Sequence, residues 1–245
     1  MTDKNTPWLA TFRKAVSRWE VIIKPDMAEC FEVYLHELKI WNEKINLTAL
    51  NEPEHIALGH FADSLAPMTL DPIFRAKHIR AVDIGTGAGF PGVPLKILNP
   101  TWHMTLVDST NKKCDFLRAV VGSMEMNRVD IVPKRSEEIG HEKEHRETYD
   151  FAFARALSSL STLIEYALPL LKVGGMLVAH RGRTAADEAT RVNMALDELG
   201  GVLDGVHHYE IPEIGGARAL VSIRKIHPTS KHYPRRTGVA SKRPL

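Results

Sequence analysis

Acidic residues are missing from the end of this chain. None lies beyond Glu213, whereas Arg218, Arg224, Lys225, Lys231, Arg235, Arg236, Lys242 and Arg243 all do. The whole chain has 32 basic and 30 acidic residues, so those eight leave 24 basic against 30 acidic residues elsewhere. A basic end on a mildly acidic body points to a polyanionic partner. Cysteine is scarce as well. Cys30 and Cys114 are the only two, and neither belongs to a Cys-x-x-Cys pair. That excludes a disulfide framework and a cysteine-based zinc site, and leaves two plain thiols in helical patterns. Long apolar runs are absent too. The longest, Tyr166 to Ala179, is interrupted by Lys172 and Gly174-Gly175, so nothing reads as a membrane span. Met1 to Trp8 is polar and lacks an apolar signal region. The expectation is a soluble, reduced, cytoplasmic protein, monomeric and without a metal.

At 245 residues the chain fits a single domain with extensions. Residues 1–70 read as a helical N-terminal extension, 71–226 as a core and 227–245 as a basic tail. In the extension Phe31, Tyr34, Leu35, Leu38, Trp41 and Ile45 recur at three- and four-residue spacing, which marks one core-facing helical stripe. Glu52 to Leu65 reads as a further helix. From residue 79 the period changes, with short apolar runs near 79–84, 103–107, 129–133, 149–154 and 175–180. Amphipathic helices near 91–99, 111–126, 136–140 and 158–171 lie between them. Alternation of this kind predicts an α/β fold with a central, mostly parallel sheet and helices on both faces. A helix near 184–200 precedes strands near 202–211 and 217–225, which suit a closing antiparallel hairpin. After His227 no period remains, and the segment reads as a tail rather than an element.

The residues with most to say about chemistry are Val82 to Leu95, followed by Asp108 at the end of the next apolar run. Gly85, Gly87 and Gly89 permit a sharp turn and close approach of backbone to a ligand. The same letters satisfy the dinucleotide pattern Gly87-x-Gly89-x-x-Gly92 with an acid downstream. A dinucleotide site aims helix-terminal amides at a pyrophosphate, and Asp83 beside the turn would repel that dianion. S-adenosylmethionine has no phosphate and carries an ammonium and a sulfonium, which favour an acid at Asp83. Asp108 would then accept hydrogen bonds from the ribose hydroxyls. A structural glycine turn without a ligand remains the bland alternative.

Further candidates lie at the ends of later strands. Ser136-Glu137-Glu138 reads either as a helix cap with acids in the first turn or as an adenine contact. Arg155 ends the fourth strand at the carboxyl edge, where open α/β sheets bind ligands. It suits the carboxylate of the cofactor or the acceptor, and otherwise a solvated strand end. Methyltransferases acting on exocyclic amines place Asn/Asp-Pro-Pro-aromatic here, and those acting on pyrimidine carbon use Pro-Cys. This chain has Phe153-Ala154-Arg155-Ala156. The acceptor should therefore be nucleophilic in itself, as guanine N7 is, with catalysis mainly by alignment and proximity. His55, His60 and Asp63 provide too few ligands for a metal. They suit an N-terminal lid over cofactor or substrate, or a surface His–Asp pair.

Together these residues resemble the bacterial small-subunit rRNA guanine-N7 methyltransferase family RsmG, also called GidB or glucose-inhibited division protein B. The resemblance runs through Trp41 to Ala49, His60 to Leu65, Val82 to Leu95, Val107-Asp108-Ser109 with Lys112-Lys113 and Phe116-Leu117, Arg155-Ala156-Leu157, Tyr233 to Arg236, and Pro244-Leu245. It implies a class I, Rossmann-like methyltransferase that uses S-adenosyl-L-methionine to modify N7 of guanine 527 in 16S rRNA, with 16S rRNA or the small-subunit particle as partner. Carried over by motif, Gly85, Phe90, Ser136, Glu137 and Arg155 would bind the cofactor, with Arg155 also positioning the reaction. Asp83, Gly87 and Asp108 join them on the physical grounds above. One departure is His180-Arg181-Gly182 after the fifth strand, where the family usually shows Lys-Gly. The alternatives are a methyltransferase of the same fold acting on another RNA or a small molecule, an NAD-linked oxidoreductase, and an RNA-binding protein with a vestigial site.

Overall fold

The computed structural model describes residues 6–70, 74 and 76–245. Residues 1–5 of the polar N-terminus, and 71–73 and 75 at the expected junction between extension and core, lie outside them. Seven strands form one sheet: β1 (Arg80–Ile84), β2 (His103–Val107), β3 (Val129–Val132), β4 (Tyr149–Arg155), β5 (Leu171–Arg181), β6 (Gly201–Tyr209) and β7 (Arg218–Lys225). Their order is β3-β2-β1-β4-β5-β7-β6. The first five pair in parallel, and β7 lies antiparallel between β5 and β6. The antiparallel pair expected at the end is present. Its insertion with β7 inward follows from burial, because β7 is buried along most of its length whereas β6 is largely exposed.

The helices are α1 (Pro7–Ser17), α2 (Pro25–Asn42), α3 (Pro53–Ile56), α4 (Asp63–Leu65), α5 (Gly92–Leu98), α6 (Asn111–Ser123), α7 (Ser136–Ile139), α8 (Leu160–Ala167), α9 (Ala185–Ala189), α10 (Asn193–Leu199) and α11 (Val239–Lys242). Proline at the first helical position starts α1, α2 and α3, where its missing N–H has no intrahelical partner to lose. The single helix expected over 184–200 is two short ones, with Thr190 Oγ1 donating to the Asp187 carbonyl at the break.

Two apolar layers cover the sheet, and β4 shows why. Its side chains alternate, so Phe151 and Phe153 face a core with Phe12, Phe31, Tyr34 and Phe61, while Ala152 and Ala154 face Leu163, Ile164 and Leu196. The N-terminal helices are thus one lid of the sheet. Between α3 and α4 the chain makes a π-helical segment, Ala57–Ala62, that carries His60. Segments of this kind frequently occur at functional sites.

The C-terminal segment departs from expectation. Instead of a tail without elements, it folds back along the second layer and forms α11. Thr229 Oγ1 donates to the Leu199 carbonyl, and Arg146 donates to the carbonyls of Gly140, Thr229, Ser230 and Tyr233. Arg235 donates through Nε and NH2 to Glu165, whose side chain is fully buried. Gly140 apart, these partners are distant in sequence, so composition and period gave no sign of them. The basic end is also partly neutralised. Arg218 pairs with Asp63, Arg224 with Asp204, Lys225 with Glu147 and Arg235 with Glu165. Lys231, Arg236, Lys242 and Arg243 are exposed.

Candidate functional site

At the carboxyl edge of the sheet the chain reverses between β1 and β4, the place where open α/β sheets take ligands. The turn after β1 is built on positive φ at Gly85 (65°), Gly87 (59°) and Gly89 (94°), a region side chains rarely adopt. The packing around them differs. A Cβ on Gly89 would lie 2.7 Å from the Tyr34 hydroxyl, which itself donates to the Ala88 carbonyl. A Cβ on Gly87 would meet only the Gly85 carbonyl, at 4.0 Å. Gly89 is a packing glycine, and Gly87 presents bare backbone to open space.

An open cleft of about 420 Å³ lies in front of this turn. Gly85, Asp108, Ser136, Glu137, Ala156–Ser158, Tyr166 and Ser241 are among the residues that line it. Asp108 ends the cleft side of β2, with Oδ2 accepting from Gly87 N at 3.0 Å and Oδ1 from Thr110 N at 2.8 Å. A carboxylate has about four acceptor sites, so two remain for a diol. Lys113 Nζ lies 3.7 Å from the same carboxylate. Ser136 is the first residue of α7 rather than its cap; Arg135 takes the cap position, and its N–H donates to Glu138 Oε2.

Asp83 does not line the cleft. Its carboxylate is buried beneath the turn, with Oδ2 accepting from Thr86 Oγ1 at 2.6 Å and Gly92 N at 2.8 Å. Strand alternation sends it toward α5 rather than outward, so it braces the turn where the sequence suggested contact with a cation. Burial pushes its carboxyl up to about 7, against the hydrogen bonds from Thr86 and Gly92. Oδ1 has no partner.

Phe90 and Arg155 form a second group beside the cleft. The Arg155 guanidinium sits 4.9 Å over the Phe90 ring, and His60 stacks on the same ring at 4.5 Å. Arg155 NH1 lies 2.9 Å from Asp63 Oδ2 and also donates to the Gly59 carbonyl, while NH2 lies 3.0 Å from His60 Nδ1. Asp63 further accepts from Tyr209 Oη at 2.7 Å, and its carbonyl pairs with His180 Nε2. Burial pushes the Asp63 carboxyl up, but His180, Arg155 and Tyr209 together hold it below the usual range. Burial and then Arg155 push His60 down to about 4, so it is a neutral ring. His60 Nε2 meets Thr48 Oγ1 at 2.5 Å, linking the Trp41–Ala49 motif to Arg155. His60 and Asp63 are therefore not a surface pair but the setting that fixes Arg155.

Arg181 turns inward rather than toward a partner. NH1 donates to the Ser158 carbonyl at 2.9 Å and sits 3.4 Å from that of Leu157. These belong to the turn after β4, where Ala156 (φ 54°) and Ser158 (φ 44°) adopt left-handed backbone. Tyr209, Arg218, Tyr166 and Ser241 were not singled out from sequence as site residues. They come from strands and segments more than 70 residues from the glycine turn, and no local pattern marks them. Among the described residues no cluster of three or more His, Cys, Asp or Glu could hold a metal ion, and no helix is long and apolar enough to cross a membrane.

The comparisons agree with this geometry. The family model for rRNA small subunit methyltransferase G, GidB, matches residues 27–221. The chain belongs to the GidB family. The ribosomal RNA small subunit methyltransferase G of Desulforamulus reducens is 38% identical over 96% of this chain and 97% of its own. That of Roseiflexus castenholzii is 40% identical over 95% and 97%. A crystal structure of a SAM-dependent methyltransferase from Aquifex aeolicus superposes with a TM-score of 0.54 at 17% identity, covering 74% of this chain and 97% of that one. Its low identity speaks only to fold, which is the class I methyltransferase fold. As a GidB-family member, the chain is an S-adenosylmethionine-dependent methyltransferase of small-subunit rRNA.

Proposed function

We propose that this GidB-family protein methylates N7 of guanine 527 in 16S rRNA, acting as a monomer in the bacterial cytoplasm. The observation that carries the chemistry is the cleft at the β1/β4 reversal, where Asp108 keeps two free acceptor sites beside the bare backbone of Gly87. Those features fit a ribose-bearing cofactor. Asp108 would hold the ribose, Gly85 and Gly87 the chain beyond it, and Ser136 and Glu137 the adenine. When bound, S-adenosylmethionine would supply an electrophilic methyl group on a sulfonium and leave as S-adenosylhomocysteine. A guanine N7 acceptor has its own lone pair, so no residue of this chain would need to remove a proton. That accords with a β4 end that carries Arg155 and no base or nucleophilic cysteine.

Arg155 is the positioning group. Its guanidinium, fixed by Asp63, His60 and Phe90, keeps a cation at the sheet mouth without lying among the residues that line the cleft. Alignment of this kind can supply much of the barrier reduction. Small-subunit particles from a strain lacking this gene, incubated with the purified protein and the methyl donor, test the reading. Mass mapping should find one added methyl, on N7 of guanine 527. Methylation at another nucleotide, or of a small molecule alone, would sink it.

A further inference from the structure

We propose that the C-terminal segment forms the outer wall of the adenine end of the cofactor cleft, with Ser241 as a cofactor-contacting residue. This rests on the reading of that cleft given above. In the sequence the segment stands out for its charge and for the Tyr233–Arg236 and Pro244-Leu245 motifs, and RNA contact would account for Lys242 and Arg243 without accounting for the residues between the charges. The structure gives those residues another task. Ser241 lines the same cleft as Asp108, Ser136 and Glu137. It is brought there by a series of polar attachments to the walls of the site. Gly238 N donates to Glu137 Oε1 at 3.0 Å, and Thr162 Oγ1 donates to the Ala240 carbonyl at 3.1 Å. Upstream, Arg235 is held by the buried Glu165, and Arg146 holds the segment's own carbonyls at Thr229, Ser230 and Tyr233.

The location defines which end of the cofactor it faces. Glu137 follows β3, on the far side of Asp108 from the β1/β4 reversal. A ligand with its ribose on Asp108 and its reactive end at the reversal must place its base toward Glu137, and that is where Ser241 and Tyr166 lie. The Tyr166 hydroxyl is already influenced by both neighbours. Burial first, and then the Glu137 carboxylate, push it up to about 12. It therefore stays a neutral hydroxyl beside Glu137 and Ser241, a set able both to donate to and accept from an adenine edge.

Protection of an engineered thiol tests this on the full chain. Ser241→Cys should react with a maleimide in the free protein, and S-adenosylhomocysteine should slow that reaction in step with its occupancy. 5′-Methylthioadenosine, which keeps the base and ribose, should protect as well, whereas methionine should not. Arg236→Cys, on the exposed side of the segment, should react equally with and without ligand. The unaltered chain, with Cys114 buried and Cys30 half-buried, provides the background. Independently, Ser241→Trp should weaken S-adenosylhomocysteine by about tenfold, a loss of the size one lost polar contact gives. If the thiol of Ser241→Cys is unprotected at saturating ligand, or Ser241→Trp binds normally, while Asp108→Ala weakens binding by about tenfold or more, the wall assignment is wrong and the cofactor reading stands. If Asp108→Ala also binds normally, the cofactor lies elsewhere and both fall.

Discussion

Replacing Arg235 with alanine should destabilise this protein far more than removal of a surface cation would. Glu165 lies on α8 with no solvent exposure, and Arg235 meets it with four contacts. One of them, from the Arg235 main-chain N–H at 2.8 Å, survives the substitution; the three from the guanidinium, at 2.5–3.0 Å, do not. The result is a buried carboxylate with one donor and no counter-charge. Breaking a buried pair from one side costs about 3–5 kcal/mol. Because the arginine side chain keeps 26% of its exposure, water can partly replace it, which favours the lower figure. For a domain of this size each kcal/mol moves the midpoint by about 2–4 °C, so a fall of roughly 6–12 °C is expected by calorimetry. Arg235→Lys should recover part of the loss, since it keeps the charge but not the two-pronged geometry. The double variant Arg235→Ala/Glu165→Gln should be more stable than Arg235→Ala alone, because an amide needs no cation. A loss below about 1 kcal/mol for Arg235→Ala, or a double variant showing the sum of both losses, would refute this role for the Arg235–Glu165 pair.

Other outcomes follow from the same contacts. Asp108→Ala should weaken S-adenosylhomocysteine binding in calorimetry by at least about tenfold, since it removes hydrogen bonds to a charged acceptor worth roughly 1.5–3 kcal/mol each; unchanged affinity would show that the ribose sits elsewhere. Asp83 resists ionisation in the fold, so its contribution to stability is complete below pH 4 and declines as pH rises toward 7. Asp83→Asn should therefore gain on the unaltered protein across that window, by a few kcal/mol at most, and parallel urea-unfolding curves at pH 4 and 8 would count against the buried acid. Arg155→Ala should abolish most methylation and also lower the melting temperature by several degrees, because the buried Asp63 loses its 2.9 Å partner on Oδ2 and keeps only Arg218 and Tyr209 on Oδ1, beside a neutral His60. A variant of unchanged stability would show that the Asp63 carboxylate does not depend on it.

Much of the architecture was legible in the chain. The change of period at residue 79 marks the passage from helices to alternating strands and helices, and β1 through β5 lie within a few residues of the apolar runs, β5 apart, which starts four residues early. Fully buried parallel strands leave that signature because both faces must be apolar. The glycine turn and Asp108 were also legible, since left-handed backbone and a strand-end carboxylate are local requirements that particular residues meet. The orientation of Asp83 was not. Its sequence position allows contact with either ligand or α5, and only the packing of Gly92 against the strand settles it.

Residues joined across the fold were beyond the reach of any local pattern. Arg155 stands out as a cation at a strand end, but its fixation by Asp63, His60 and the Phe90 ring depends on how the N-terminal helices cover the sheet. The basic terminus shows the same division most plainly. Its composition sets the charge, because side-chain identity alone determines that. Which of those charges are spent inside the protein was decided by tertiary structure, since Glu165, Glu147, Asp63 and Asp204 approach them only after the chain folds. Charge is a property of each residue, whereas its neutralisation depends on distance, and distance between remote segments exists only in the folded chain.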